Sequence, residues 1–216
     1  MAKQQRAISN PLALAVLALL RERPMHPYEM AATMRERGKH HSIKLNYGSL
    51  YTVVDALERH GLIVPRETVR EGRRPERTVY ELTDAGRAKL DGWLRDLLRR
   101  PVKEYPQFEA GLSLMATLPP DEVVTLLTER VRRLEEEIAR LRAGLDAAAA
   151  QGVPQIFLIE HDYELALKEA ELRWVRDLIR GIQEEALTGV DWWRGFHAQG
   201  GAHRDDERRE EEPVSN

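Results

Sequence analysis

Apolar residues recur at helical spacing within residues 46–62, which read NYGSLYTVVDALERHGL. Four of them line one face of a helix, at positions i, i+3, i+4 and i+7: Leu50, Val53, Val54 and Leu57. The opposite face is small or polar and consists of Gly48, Thr52, Asp55 and Arg59, flanked by Ser49 and Tyr51. Asn46 is a suitable N-cap, and Gly61 is suited to end the helix. The pattern predicts a helix that packs on a core and presents small polar groups outward, although an ordinary surface helix shows the same alternation.

Two β-branched runs follow this helix, at residues 62–69 and 76–82. Gly72 and Pro75 lie between the runs and favour a turn, so the two runs predict a hairpin. The hairpin is basic, with arginines at Arg66, Arg70, Arg73, Arg74 and Arg77. A helix followed by a two-stranded wing is typical of a winged helix-turn-helix. In that fold the second helix of the motif enters the major groove of DNA, and the wing contacts the flanking backbone or minor groove.

Three further helices complete the predicted winged domain. Asn10-Pro11 and His26-Pro27 each pair a capping residue with a proline, which predicts helices at 11–23 and 27–37. The first is apolar on nearly all sides and should be buried broadly. Residues 38–45 form a longer loop than the usual turn of the motif. Thr83 is placed to cap a linking helix that begins at residue 84, with Trp93 on its apolar face.

The second half of the chain is predicted to be a pair of long antiparallel helices. In the first, apolar residues alternate at spacings of three and four, as in a heptad seam: Val124, Leu127, Val131, Leu134, Ile138, Leu141 and Leu145. In the second, at 156–187, apolar residues recur every seven: Leu158, Leu165, Leu172 and Ile179. So strict a seam favours a partner of equal length and predicts a dimer interface formed by Val124, Leu127, Val131, Leu134, Ile138, Leu141, Leu165, Leu172 and Ile179. The alternative is a helical hairpin within one chain.

Charge divides the 216 residues into two unlike halves. Residues 1–100 hold 19 Lys and Arg against 12 Asp and Glu, a net charge of +7, whereas residues 101–216 hold 14 against 24, a net charge of −10. A basic module joined to an acidic one suggests that only the first binds a polyanion. Two prolines within 99–106 indicate a hinge. We therefore predict a winged domain at 1–100, a helical dimerisation domain at 101–190, and a disordered charged tail at 191–216.

Several classes of function receive no support from the sequence. The absence of cysteine excludes disulfides, thiolate metal sites and a cysteine nucleophile. None of the sequence motifs typical of nucleotide-binding loops, serine hydrolases or zinc proteases is present, so we expect no enzyme, no cofactor and no metal. Glu160-His161-Asp162 does not form a metal site, since consecutive side chains on a helix diverge. No apolar run reaches transmembrane length, so we expect a cytoplasmic protein with no membrane partner.

Four stretches in order carry a resemblance to a known family: Met25–Met30 (MHPYEM), Gly48–Tyr51 (GSLY), Leu57–Ile63 (LERHGLI) and Val79–Arg87 (VYELTDAGR). Together they span most of residues 9–90, and they resemble the PadR family of bacterial transcriptional regulators. The resemblance implies a homodimer, a two-fold related DNA target, and repression relieved by a small effector. Tyr47 stands where the family often has proline, and Pro27 where it often has glycine.

These observations assign expected roles to individual residues. The predicted DNA-binding residues are Lys44, Asn46, Tyr47, Gly48, Ser49, Tyr51, Thr52, Arg59, Arg73, Arg74 and Arg77. Small hydroxyls suit base edges, the first turn of the helix suits a phosphate, and the arginines of the wing suit the backbone or minor groove. Trp93 and Trp174 are candidates for an effector pocket, with plain core packing as the alternative. A winged-helix module that binds only proteins is the competing function, but such a module has no need of clustered arginines.

Overall fold

The computed structural model describes residues 10–40, 42–69 and 77–199. The chain divides into two compact units, Met1–Lys103 and Glu104–Asn216. The division falls three residues after the boundary inferred from the sequence. Within the described residues, none of the helices combines the length and apolarity that crossing a bilayer requires.

The first unit is a winged helix-turn-helix, which confirms the predicted fold. Its elements in chain order are α1 (Pro11–Glu22), α2 (Pro27–Glu36), α3 (Tyr47–Arg59), β1 (Ile63–Val69), β2 (Arg77–Leu82) and α4 (Asp84–Arg99). Helix α1 lies at the centre and contacts α3, α4 and β2. Its apolar residues on several sides are buried: Leu12, Ala13, Val16, Leu17, Leu19 and Leu20. The broad burial predicted for this helix is therefore present, and each fully buried leucine contributes about 1.5–3 kcal/mol.

The ends of α3 and α4 are joined by a small hydrogen-bond network. Helix α3 ends in a Schellman motif, in which Gly61 N–H donates to Glu58 O (2.8 Å) and Leu62 N–H donates to Leu57 O (3.0 Å). Gly61 has a φ of +67°, which glycine adopts without strain. The Thr83 hydroxyl donates to Gly61 O (2.8 Å) and accepts from Gly86 N–H (3.0 Å). One side chain thus caps α4 and ties it to the end of α3.

The wing is an antiparallel pair whose register runs from Ile63 opposite Leu82 to Val69 opposite Arg77, with an irregularity between Pro65 and Glu67. A third strand-like contact extends this sheet. Met25 N–H donates to Tyr80 O (3.1 Å), and Tyr80 N–H donates to Met25 O (3.0 Å). The segment between α1 and α2 is therefore bonded directly to the wing.

The second unit is helical. It contains α5 (Gln107–Leu114), α6 (Pro120–Ala150), α7 (Ile159–Gln183) and α8 (residues 190–199), with single 3₁₀ turns at Met115–Thr117 and Gln155–Phe157. Helices α6 and α7 pack against each other along much of their length. The core of this unit is formed by Val123, Leu127, Val175, Ile182 and Trp193. The predicted pair of long helices is present.

The heptad seam of α6 faces α7 of the same chain, which corrects part of the predicted dimer interface. Leu127, Leu134 and Ile138 are only 6%, 6% and 4% exposed in a single chain, so they have no surface left for a partner. Val124, Val131 and Ile179 pack against the same internal core. The seam was a correct signal of helix pairing, but the equal-length partner is the next helix of the chain, and the hairpin alternative accounts for it.

Ion pairs flank this internal seam and fix the register of the two helices. Lys168 Nζ lies 2.6 Å from Glu137 Oε2, and Arg142 Nη2 lies 2.6 Å from Glu169 Oε1. Arg176 pairs with Glu135. The hydrogen bond from Lys168 lowers the pKa of Glu137, so this carboxylate stays charged well below neutral pH. Such exposed pairs are each worth about 0–1 kcal/mol, and their main effect is alignment.

The predicted disordered tail starts too early. Residues 190–199 are helical, and Val190 and Trp193 are buried. The Trp193 indole N–H donates to Leu118 O (2.8 Å), which anchors α8 beside the start of α6. Unlike α2, which is equally short, this helix has no cap-and-proline pair to mark its start, so the sequence did not indicate it. The remainder of the predicted tail, residues 200–216, lies outside the described residues.

Two glycines of α4 provide a matched test of the packing between α3, the wing and α4. A Cβ at Gly86 would lie 2.1 Å from Leu62 O, whereas a Cβ at Gly92 meets nothing within 4 Å. Gly86→Ala should therefore lower the free energy of unfolding by about 1–3 kcal/mol through overpacking. Gly92→Ala should raise it by about 0.5–1 kcal/mol, because alanine favours an exposed helix interior. Thermal unfolding followed by circular dichroism measures both, and equal stability of the two variants would contradict the assigned contact.

Candidate nucleic-acid interface

Helix α3 presents one polar face to solvent, because its other face is fixed in the core. The buried residues are Leu50, Val53, Val54, Ala56 and Leu57. The exposed residues are Gly48, Tyr51, Thr52, Asp55 and Arg59, and Ser49 is half-buried at their edge. The face inferred from spacing is thus the face the fold exposes. It is narrow and carries short side chains over its first two turns, which allows close approach to another surface.

Hydrogen bonds within the first turns of α3 determine which of its donors and acceptors remain available to a ligand. Asn46 Oδ1 accepts from Ser49 N–H (2.7 Å), so the Asn46 carbonyl is used as an N-cap and its amide N–H₂ remains exposed. The Thr52 hydroxyl donates to Gly48 O (2.9 Å). Its oxygen keeps a lone pair that can accept from an amino group, such as those of adenine and cytosine in the major groove.

Tyr47, the first residue of α3, is held by two residues of α2. Its ring stacks on the Tyr28 ring, with centroids 6.1 Å apart and planes 13° from parallel. Its hydroxyl oxygen accepts from Arg35 Nη1 (2.7 Å), and the Arg35 guanidinium lies 4.7 Å from the ring centroid. Sequence reasoning selected Tyr47 but missed Tyr28 and Arg35. No periodicity could have found them, because the loop between α2 and α3 sets their position.

Cations beside α3 lack the acidic partners that several cations elsewhere in this unit have. Arg21, Arg23 and Arg37 pair with Asp91, Glu29 and Glu22 at 2.5–2.6 Å. No such ion pair joins Arg35, Lys44 or Arg59 to a carboxylate of the described residues. Arg59 donates only its Nε hydrogen, to Asp55 O (3.1 Å). All three of these side chains are exposed, so their positive charge is available to an anionic ligand.

Asp55 is a carboxylate on the exposed face of α3, and sequence reasoning assigned it no role. A carboxylate repels phosphate but accepts from the N4 amino group of cytosine, so at this position it suits a base edge rather than the backbone. One turn further, the carboxylate of Glu58 lies near the Tyr80 phenol of the wing. Burial raises the pKa of Tyr80, and the charge of Glu58 raises it further. The phenol therefore stays protonated at neutral pH.

The wing itself is described only in part. Arg66 is exposed, and its Nε lies 3.9 Å from Glu81 Oε2, across the pair of strands. Arg70, Arg73 and Arg74 lie outside the described residues, as does the side chain of Arg77. Their predicted contacts with the DNA backbone remain predictions.

The two tryptophans proposed for an effector pocket lie in different units. Trp93 is half-buried on α4 and lines an open cavity of about 270 Å³ together with Ala88, Lys89, Gly92 and Asp96. Lys89 Nζ lies 5.9 Å from the centre of the Trp93 ring. Trp174 is 50% exposed on α7 and meets Phe108 edge-on, with centroids 6.3 Å apart. In the part of the chain that the structure describes, no cluster of three or more His, Cys, Asp or Glu side chains is arranged to hold a metal ion.

Comparison with known proteins shows that the first unit is similar to one family of regulators. Residues 16–92 match the family model described as "Transcriptional regulator PadR-like family". That range includes all of α2, α3 and the wing. The negative transcriptional regulator PadR of Bacillus subtilis is 26% identical over 149 residues, which are 68% of this chain and 79% of that protein.

Solved structures show the same fold. The crystal structure of Bacillus subtilis PadR in complex with operator DNA has a TM-score of 0.61 at 21% identity and covers 78% of this chain and 96% of that one. Bacillus subtilis PadR in complex with p-coumaric acid gives 0.59 at 18% identity, over 81% and 94% of the two chains. The Vibrio cholerae virulence activator AphA gives 0.60 at 18% identity, over 81% and 99%. At these identities the likeness establishes the fold.

Proposed function

We propose that the chain is a PadR-like transcriptional regulator whose family domain lies at residues 16–92, and that it has the following more specific function. It binds a pseudo-palindromic DNA operator as a homodimer, represses transcription there, and is released by a small effector. The observation that carries the proposal is the exposed face of α3, where short polar side chains lie beside three cations without an ion-pair partner among the described residues. These cations lack an anionic partner within the described residues, and the phosphates of DNA would supply one. A module that binds only proteins gives no comparable reason for the arrangement.

Each residue of the surface has a role in this proposal. Ser49, Thr52 and Asp55 approach base edges, where their hydroxyls and carboxylate read amino and carbonyl groups. Gly48 allows the helix to come close, and Tyr51 donates its hydroxyl to a phosphate. The backbone is contacted by Lys44, Asn46 and Arg59, and on the wing by Arg73, Arg74 and Arg77. The phosphate contacts supply affinity and register, whereas the base contacts supply specificity.

An exposed apolar row on α7 supports a homodimer. Ile159, Tyr163, Leu167 and Trp174 are 50–66% exposed, and Ala166 and Ala170 lie on the same side of the helix. These six positions fall within about 100° of one helix face, as a buried stripe does. With the seam of α6 covered inside its own chain, this row replaces Leu127, Leu134 and Ile138 as the proposed contact. Leu141, Leu165 and Leu172 remain proposed only as half-buried flanks.

The cavity beside Trp93 supports an effector of one chemical class. Bacillus subtilis PadR has been crystallised with p-coumaric acid. In this chain Trp93 offers an aromatic surface, and Lys89 offers a cation next to it. We therefore extend the proposal to a small aromatic acid whose ring contacts Trp93 and whose carboxylate contacts Lys89. Trp174 packs on Phe108 and leaves half of its surface in solvent, so it is the weaker of the two candidates.

DNA binding is tested by fluorescence anisotropy with a duplex from the protein's own upstream region and a scrambled duplex, across a salt series. We expect preference for the native duplex, with the logarithm of the association constant falling steeply against the logarithm of salt. Arg73→Ala/Arg74→Ala should flatten that slope by about 0.9 for each phosphate that the wing no longer neutralises. Arg99→Ala/Arg100→Ala, which removes the same charge from the end of α4, is the matched control. Absence of binding to either duplex at low salt would favour the protein-interaction module.

The dimer contact is tested by placing charge in the apolar row of α7. Tyr163→Glu/Leu167→Glu should convert the dimer to a monomer, because two carboxylates would be buried without partners. Ala139→Glu/Ala143→Glu adds the same charge at the same spacing on the exposed side of α6 and should leave the dimer intact. Light scattering after size exclusion gives the masses. A dimer that persists in the α7 variant would show that another surface holds it.

Effector release is tested by adding p-coumaric acid to the preformed protein–DNA complex. We expect the anisotropy to fall as the complex dissociates, and Lys89→Gln to require a higher concentration for the same release. Arg95→Gln, which removes an exposed cation from the same helix, serves as the control. If p-coumaric acid leaves the complex intact even at millimolar concentration, this class of effector is ruled out for the site.

A further inference from the structure

Arg35, Tyr47 and Tyr28 form a side-chain cluster at the edge of the α3 surface, and the family resemblance assigns nothing to Arg35. The cluster joins α2 to the first residue of α3 through a 2.7 Å hydrogen bond and a ring stack. All three side chains are exposed; Tyr28 is 56% and Tyr47 40% exposed. A contact between two surface side chains costs side-chain entropy and gains little in water. Its location, beside the face proposed to enter the groove, suggests a different role.

The hydrogen bonding of the cluster leaves two donors directed away from it. A tyrosine hydroxyl is both an acceptor and a donor. The Tyr47 oxygen accepts from Arg35, so the hydroxyl hydrogen is free to donate to another group. Arg35 uses one N–H for that bond and keeps the remaining N–H groups of its fork. No carboxylate of the described residues forms an ion pair with it. A phenol donor and a guanidinium thus stand side by side with uncompensated positive charge.

A phosphate diester matches this pair of donors. Its two non-bridging oxygens accept from a guanidinium fork and from a neighbouring hydroxyl, and its charge offsets that of the arginine. The stack of Tyr28 on Tyr47 fixes the phenol ring, and the hydrogen bond fixes the fork relative to the ring. Both donors therefore require little ordering when the ligand arrives. A base edge fits less well, because the pair presents only donors and has no acceptor to distinguish one base pair from another.

We propose that Arg35 and Tyr47 clamp one phosphate of the DNA backbone and so set the position of α3 along the groove. This inference rests on the proposed DNA binding and deepens it. Arg35 and Tyr47 touch the ligand, whereas Tyr28 is a positioning residue that acts through the Tyr47 ring. Arg35 lies on α2, so the clamp connects the first helix of the motif to the register of the second. Removal of the clamp weakens binding to all sequences in similar proportion, since a phosphate carries no sequence information.

The test uses the full-length protein and a duplex selected from a random pool by the wild-type chain. Arg35→Gln should weaken binding about 10-fold and lower the salt slope by about 0.9 for each protomer. Tyr47→Phe keeps the stack and removes the hydroxyl, and it should weaken binding by several-fold. Arg23→Gln also removes one positive charge from this unit, but its charge is already paired with Glu29. It should leave the salt slope unchanged, and circular dichroism confirms that all the variants are folded.

A second measurement separates contact from mere stabilisation. A set of duplexes, each with one phosphate replaced by an uncharged methylphosphonate, is titrated with the wild type and with Arg35→Gln. We expect one position per half-site that weakens the wild type but has no further effect on the variant. If the losses of affinity caused by the methylphosphonate and by Arg35→Gln were additive at every position, the clamp would be overturned. It would also be overturned if Arg35→Gln had the wild-type affinity and salt slope. In both cases the proposed DNA binding would still stand. A failure of the wild type to select or bind any duplex would overturn the proposed function itself.

Discussion

Burial of the apolar row of α3 against α1 is the constraint on which the first unit depends. A helix that carries four large apolar residues on one side has only one way to face a core, so its opposite side is fixed in direction. The same core receives α4 through the bonds between Thr83, Gly61 and Leu62. The wing is joined to this unit by the backbone bridge between Met25 and Tyr80. The surface that α3 exposes is thus determined by residues that never reach solvent.

Burial of apolar helix faces also organises the second unit, but there it leaves part of one face exposed. Two amphipathic helices in sequence bury their facing sides against each other, and α8 closes the end of this core with Trp193. Because the apolar stripe of α7 is wider than one partner helix covers, part of it stays exposed, from Ile159 to Trp174. This half of the chain has a net negative charge, which disfavours contact with a polyanion such as DNA. The two units therefore differ in charge as well as in fold.

The sequence predicted the elements well and their partners less well, for reasons that particular residues make clear. Helix α3 and the wing were recognisable, because the spacing of apolar residues in a helix (3.6) or a strand (2) can be seen in a short stretch of sequence. Capping and turn residues also mark where both elements begin and end. The seam of α6 was also recognised, but a heptad pattern states that a helix has a partner and does not state which chain supplies it. The Arg35–Tyr47 contact could not be foreseen, since twelve residues and an irregular loop separate the two side chains. The winged-helix assignment is confirmed, whereas the roles of individual DNA-facing residues stay predictions.

The core of the second unit is formed within one chain, and this affects how the concentration of the proposed dimer depends on the amount of protein in the cell. Leu127, Val175 and Ile182 are buried without any partner chain, so the core of this unit is complete within one chain, and the proposed dimer would form from folded monomers. A dimer assembled from such monomers dissociates on dilution. Below its dissociation constant the concentration of active species rises with the square of the chain concentration. A promoter governed by the proposed dimer would respond to copy number more steeply than in proportion, with a threshold set by the affinity of the contact proposed on α7.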